Sequence, residues 1–220
     1  MSARRDVDLG LVRSQLGSAV LSDVLDAHGL RRQCLAAGLA PLGPDDVVAG
    51  WAFPVALQRV SDVPDRPFRG LVTALDAIGP DEVFVTPTAR ATDIAVWGEL
   101  LSTACTARGA AGAITDGLVR DTRQVRELGF PVISAGTIPY DSLGRHEIVA
   151  HGVACQIDGV RIEPGDLVVG DADGVVVVPA RLAGQAVAEA AAKRQGEREF
   201  RAAVAAGMPA TEAFATFGVL

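Results

Sequence analysis

Aromatic residues make up only 5% of this 220-residue sequence, it has three cysteines, and no uninterrupted apolar stretch approaches the roughly 20 residues that a bilayer-crossing helix needs. The last absence excludes a membrane span. Cys34, Cys105 and Cys155 lie far apart without C-x-x-C spacing, which excludes a zinc cluster and an even disulfide framework and points to reduced thiols in a cytoplasmic protein. No apolar core follows Arg4 and Arg5, so the N-terminus does not read as a secretory signal. Clustered basic residues are missing too. With a formal charge of −7 and a pI near 4.9, the long-range field repels a phosphate backbone and excludes nucleic acid as a partner. A small anionic substrate stays compatible, because local arginines and a divalent cation outweigh a diffuse acidic surface beyond a Debye length of about 8 Å. Gly109-Ala-Ala-Gly112 lacks the remaining spacing of a dinucleotide or P-loop motif.

What is present is small and aliphatic: 49% hydrophobic residues, mostly Ala and Val, with a mean hydropathy of +0.29, enough to bury a substantial core in one domain over 1–220. Helical spacing of Leu16, Val20, Val24 and Ala27 predicts a first helix over 12–27, stopped at Gly29. Strands over 47–55, 83–86, 110–115 and 130–135 alternate with helices over 70–78, from about 98 to 108, and over 122–128. Four closely spaced strands, 153–157, 160–162, 167–170 and 175–178, separated by Asp158-Gly159, Pro164-Gly165 and Asp173-Gly174, predict a β-meander, with Asp166, Asp171 and Asp173 serving turns rather than a cation loop. An Ala-rich helix over 180–206 and a short one from 210 complete an α/β chain with a mixed sheet and a C-terminal helical tail.

Chemistry concentrates in Gly112-Ala-Ile-Thr-Asp-Gly-Leu-Val-Arg-Asp-Thr-Arg-Gln124. A strand delivers the Asp116-Gly117 turn, and the chain then presents Arg120 and Asp121 at the start of a helix. A cation beside a carboxylate at a rim of free backbone N–H groups can handle a metal-bound oxyanion. The same residues also fit a capping box, Asp121 with Gln124, and a solvated arginine. Gly98-Glu99 opens another helix, whose free amides and positive dipole make a carboxylate cradle, although Gly98 also suits close packing beside Trp97. Ser22 and Asp23 read as a solvated face or local cap. Arg145, in the loop 136–147, either reaches a second carboxylate or is solvated, and His146 and His151 lack a third metal ligand.

The pattern Gly-x-x-x-Asp-Gly-x-x-Arg-Asp, with Trp97-Gly-Glu-Leu-Leu101 upstream and Pro164-Gly-Asp-Leu-Val-Val-Gly-Asp-Ala-Asp-Gly-Val-Val-Val-Val-Pro179 downstream, resembles the family of 4-hydroxy-4-methyl-2-oxoglutarate aldolases and the regulator of ribonuclease activity A. The resemblance implies a swivelling β/β/α sandwich assembled as homotrimers or hexamers. It implies a Mg²⁺- or Mn²⁺-dependent lyase that leaves a pyruvyl enolate, by retro-aldol cleavage of a 4-hydroxy-2-oxo acid or decarboxylation of oxaloacetate. A non-catalytic regulator that inhibits a ribonuclease or another enzyme is the alternative. Carried over residue by residue, Arg120 and Asp121 are catalytic, and Gly98, Glu99, Leu100, Leu101 and Arg120 hold the 2-oxo acid. Asp121 holds the metal, with Glu197 or Glu199 reaching it through water from the tail (180–220) of a neighbouring subunit. An Asp-Asn pair common in the family near the end of the segment 58–69 is missing here.

Overall fold

A strand that returns parallel to its own sheet needs a crossover, and a right-handed helical crossover places each successive helix on the same face. The computed structural model, which describes residues 7–219, is built on that rule. Arg4, Arg5 and the last residue, Leu220, lie outside the described residues. In chain order the elements are α1 (Leu9–Gln15), α2 (Ser18–Ala27), β1 (Ala40–Pro41), β2 (Val48–Arg59), α3 (Arg69–Ala77), β3 (Glu82–Thr86), β4 (Ala95–Trp97), α4 (Glu99–Ala107), β5 (Gly112–Thr115), β6 (Leu118–Val119), α5 (Thr122–Leu128), β7 (Val132–Ser134), β8 (Gly136–Thr137), β9 (His146–His151), β10 (Cys155–Ile157), β11 (Val160–Ile162), β12 (Leu167–Asp171), β13 (Gly174–Val178), α6 (Ala183–Ala205) and α7 (Ala210–Phe217).

The main sheet runs β1-β7-β5-β3-β2-β12-β13, with β9 also on β2. Its β2-β3-β5-β7 core is parallel and the remaining pairings are antiparallel, the mixed sheet expected. Alternation along β2 sorts the core into layers. Ala49 and Trp51 face a cluster that includes Val20, Leu21 and Val24 of α2 and Ala183, Ala186, Val187 and Ala190 of α6. Phe53 and Val55 join a cluster with Ala74, Cys105 and Val125 of α3, α4 and α5. Val48 and Ala52 point the other way, into a core closed by Ile157, Val160 and Ile162 of the β10–β11 hairpin. Hairpin, sheet and helices are thus the three layers of a β/β/α sandwich.

Three expectations are corrected. The helix over 12–27 is two helices, because the carboxylate of Asp171 accepts from the Ser18 N–H and hydroxyl, both at 2.7 Å, and starts α2 from across the sheet. The meander is two hairpins: among the described residues β11 pairs only β10, while β12 pairs β13 and β2. The loop over 136–147 shortens, since β9 begins at His146 and its register sets Arg59 opposite His146 and Gln58 opposite Glu147.

Asp166 and Asp171 each serve an amide of their own turn, as expected, and each also reaches beyond it. Asp166 accepts from the Glu163 and Ala180 N–H groups, and Asp171 also takes the Asp173 N–H. Asp23 pairs with Lys193 at 2.7 Å and Ser22 accepts the Cys34 thiol, so both serve packing of α2. The buried face of α6 docks on its own chain, and α7 folds back on α6, burying Ala213 and setting Val219 over Gly196. No helix among the described residues is long and apolar enough to cross a membrane.

Candidate active site

Beyond the C-terminal ends of β3, β5 and β7 the chain forms a second, three-stranded parallel sheet, β4-β6-β8. Carboxyl ends of parallel strands are where open α/β folds place ligands. The β4–β6 ladder puts the Arg120 N–H on the Trp97 carbonyl at 2.9 Å, so the two segments singled out in the sequence, 97–101 and 120–121, meet at one edge. Between them opens a cavity of about 380 Å³ lined by Gly98, Leu100, Leu101, Arg120 and Asp121 together with Asp141, Ser142 and an apolar wall of Phe68, Leu71, Val72, Leu75 and Val96.

Asp121 does not cap its helix. It sits at the N-cap position of α5 with φ 57°, in the left-handed region, and its carboxylate makes no bond to that helix. A non-glycine residue held there costs roughly 1–3 kcal/mol and is found disproportionately at functional sites. The carboxylate instead accepts from the Glu99 N–H at 3.4 Å and stands 3.7 Å from Arg120 Nε. The capping-box alternative is therefore not the arrangement present. The Glu99 side chain turns away to Thr103 Oγ1, which leaves only its backbone at the site.

Gly98 has a physical reason to be glycine. A Cβ there would lie 2.7 Å from Asp121 Oδ2 and 3.2 Å from Arg120 Cγ. Because the atom a Cβ would meet most closely is the end of the Asp121 side chain, Gly98→Ala is expected to fold normally yet displace the carboxylate, lowering kcat/KM about 100-fold, the usual cost of a misplacement near 1 Å. Steady-state kinetics beside a thermal melt checks this; an unchanged kcat/KM removes the requirement for Asp121 at that place.

The sequence reading missed Asp141. Its Oδ2 lies 3.6 Å from Arg120 Nη2, so the guanidinium stands between two carboxylates. Arg145 is neither solvated nor on a second carboxylate. Its Nη1 donates to the Asp141 carbonyl at 2.9 Å and its guanidinium packs over Tyr140, 5.3 Å from the ring centroid, which fixes the Asp141 loop. His146 lines a small adjoining cavity, and burial with the nearby Arg59 guanidinium lowers its pKa, Asp93 opposing. His151 stacks on Phe53. Burial pushes the Cys105 and Cys155 thiols up to about 12, so neither is a nucleophile at neutral pH.

Glu197 pairs with Arg194 at 3.0 Å and Glu199 accepts from Gln195 at 2.8 Å; neither lines the cavity. A role for either at this site would have to come from another copy of the chain.

Known proteins carry the same frame. The family model described as "RraA-like: Aldolase/RraA" matches residues 18–177. A protein of Halalkalibacterium halodurans, provisionally assigned as a 4-hydroxy-4-methyl-2-oxoglutarate aldolase, is 32% identical over 181 residues, covering 82% of this chain and 80% of that protein. Protein DlpA of Legionella pneumophila is 29% identical over 193 residues, 86% of this chain, which spans only 30% of DlpA's length. Among solved structures, Streptomyces coelicolor RraAS2, described as an unusual member of the RNase ES inhibitor RraA protein family, superposes with a TM-score of 0.77 at 33% identity, covering 89% of this chain and 97% of that one. An uncharacterized protein of Pseudomonas syringae pv. tomato gives 0.82 at 31%, covering 93% and 95%. The match to the family model over the greater part of the chain, with the shared sandwich beneath it, establishes that this protein belongs to the RraA-like aldolase/RraA family.

Proposed function

We propose that this chain is a divalent-metal-dependent carbon–carbon lyase that converts 2-oxo acids to a pyruvyl enolate, by retro-aldol cleavage of a 4-hydroxy-2-oxo acid, decarboxylation of oxaloacetate, or both. The observation that carries this reading is Arg120 between Asp121 and Asp141 in the wall of an otherwise apolar cavity. One guanidinium against two carboxylates leaves a local charge of about −1, unsuited to an anionic substrate by itself. A divalent cation at Asp121 reverses that sign, and when bound it would supply Lewis-acid stabilisation of charge on the 2-oxo oxygen.

The donor set fits such an ion. Asp121 offers an exposed carboxylate uncommitted to its helix, and among the described residues there is no group of three His, Cys, Asp or Glu side chains placed to hold a metal. That suits Mg²⁺ or Mn²⁺, which keep several waters and need one or two carboxylates, better than a closed zinc site. Chemistry through a lysine Schiff base has no candidate in this chain. Its single lysine, Lys193, is committed to Asp23 and does not line the cavity.

The chain's own groups divide the work. The first turn of α4 presents backbone N–H groups and a positive dipole to the substrate carboxylate. Arg120 offers a planar fork to the oxygen on which negative charge develops. Phe68 stands in the wall beside Leu71, Val72 and Leu75, which favours a substrate with an apolar substituent. The aldolase assignment of relatives supports the same reaction class.

Pyruvate release from a panel of 4-hydroxy-2-oxo acids and oxaloacetate, after chelation and after return of Mg²⁺ or Mn²⁺, tests the reading. The expected result is metal-restored pyruvate from at least one substrate. Silence across the panel, with inhibition of a ribonuclease instead, would establish the regulator.

A further inference from the structure

Behind the main cavity lies a second one of about 20 Å³, room for one water-sized group, and Phe68, Leu71, Val96 and Ser142 line both. His146 forms part of its wall. The residue is 7% exposed, and Nδ1 of its ring is out of contact with solvent without a hydrogen-bond partner. A buried polar atom left so costs roughly 1–3 kcal/mol, and a folded protein retains few of them without a use. Other groups nearby are committed. Glu147 accepts the Phe68 N–H at 3.2 Å, and Arg59 and Asp93 pair with each other at 2.6 Å.

His146 is also tied to the charged end of the site. The backbone N–H groups of His146 and Arg145 both donate to the Ser142 carbonyl, at 3.0 and 2.9 Å, and the Arg145 guanidinium holds the carbonyl of Asp141, whose carboxylate faces Arg120. The imidazole and the guanidinium therefore line two adjoining cavities that share one wall, and the loop 141–146 contributes to both, Asp141 and Ser142 to the first and Ser142 and His146 to the second. Burial favours the uncharged ring, the form that can accept a proton.

We infer that His146 is a catalytic residue, the base that takes the proton of the substrate's 4-hydroxyl when the carbon–carbon bond breaks. This rests on the lyase reading above. As the O–H bond breaks, its proton passes to the imidazole and its electron pair forms the carbonyl at C4. The C3–C4 bond breaks and its pair enters the pyruvyl fragment as the enolate. The imidazolium then returns the proton to C3, completing the methyl group of pyruvate and restoring the neutral ring, so no oxidant or further reactant is needed. Decarboxylation of oxaloacetate has no 4-hydroxyl to deprotonate, and its bond-breaking step does not require this base.

The experiment compares the two reactions in wild type, His146→Gln and His146→Ala, each with its metal and checked by thermal melting. In His146→Gln, aldol cleavage is expected to fall about 100-fold or more, while decarboxylation changes less than about tenfold. Added imidazole is expected to restore part of the aldol activity of His146→Ala, which a purely structural role would not allow. Equal losses in the two reactions, or no loss of aldol cleavage, overturn the inference while leaving the lyase reading intact. So does a wild type that decarboxylates but cleaves no 4-hydroxy-2-oxo acid. A wild type inactive on both overturns the lyase reading and this inference together.

Discussion

Asp121→Asn is expected to lower metal-dependent pyruvate release about a thousandfold, the loss of about 4 kcal/mol of transition-state stabilisation, with little change in melting temperature. The two halves of that expectation have separate physical causes. Turnover falls because an amide has nearly the shape of the carboxylate but neither its charge nor its affinity for a hard cation. Stability holds because the carboxylate makes no bond to its own helix, its contact with the Glu99 N–H is long at 3.4 Å and open to an amide oxygen as well, and its pairing with Arg120, about two-fifths exposed and 3.7 Å long, is of a kind that contributes about 0–1 kcal/mol. Asparagine is also among the residues that tolerate the left-handed conformation found at φ 57°. A residue serving only as a cap would show a different pattern, losing up to about 1 kcal/mol on truncation with no dependence on metal. Calorimetric titration of Mn²⁺ and single-turnover pyruvate formation in the variant separate the cases. Wild-type metal affinity with wild-type turnover would remove Asp121 from the site.

The parts of this site visible in the sequence are those whose geometry is local. A strand, the Asp116-Gly117 turn, a short second strand and a helix start all lie within 112–124, and each is written in residue types that act over three or four positions. Even there the local rules left a capping box and a site open side by side, and Asp121 occupies the capping position without capping its helix. The reason is tertiary: the β4–β6 ladder draws Gly98 and the Glu99 N–H against the carboxylate, and only a residue without a Cβ permits that approach. Asp141 and His146 were out of reach for a related reason. They lie on and beside a loop that reads as polar turn chemistry, and they gain meaning only when β9 pairs with the far end of β2. The alternation of buried His146 and Ile148 with less buried Glu147 and Val149 was available as a weak strand signal, masked by the histidines and the glutamate. The break between α1 and α2 was hidden likewise. Apolar spacing runs through it unchanged, and the carboxylate that sets it, Asp171, is 153 residues away in sequence.

Arg120→Lys is expected to cost about 100-fold in kcat with a smaller change in KM, and the geometry says why charge alone does not suffice. The guanidinium reaches Asp121 through Nε at 3.7 Å and Asp141 through Nη2 at 3.6 Å, so two edges of one planar group face two carboxylates that approach from different elements. An ammonium is a compact point charge on a flexible stem. It can approach one carboxylate or the other but cannot present a second fixed donor, nor hold a third direction open for the oxygen that gains charge in the reaction. Drawn to Asp121, it would compete with the proposed metal for the same oxygens; drawn to Asp141, it would leave the position facing Asp121. Either position removes preorganised stabilisation of the developing charge more than it weakens ground-state binding, hence a loss in kcat. The fold should be indifferent, because both ion pairs are exposed and the Arg120 backbone bond to the Trp97 carbonyl survives the change. Comparison with Asp141→Asn sharpens the test. If Asp141 holds the guanidinium in register, that variant loses activity in the same direction but by less, and adding it to Arg120→Lys gives a loss smaller than the two combined. A lysine variant with unaltered kcat would show that the position supplies charge only, and additive losses would show that Asp141 does not act through Arg120.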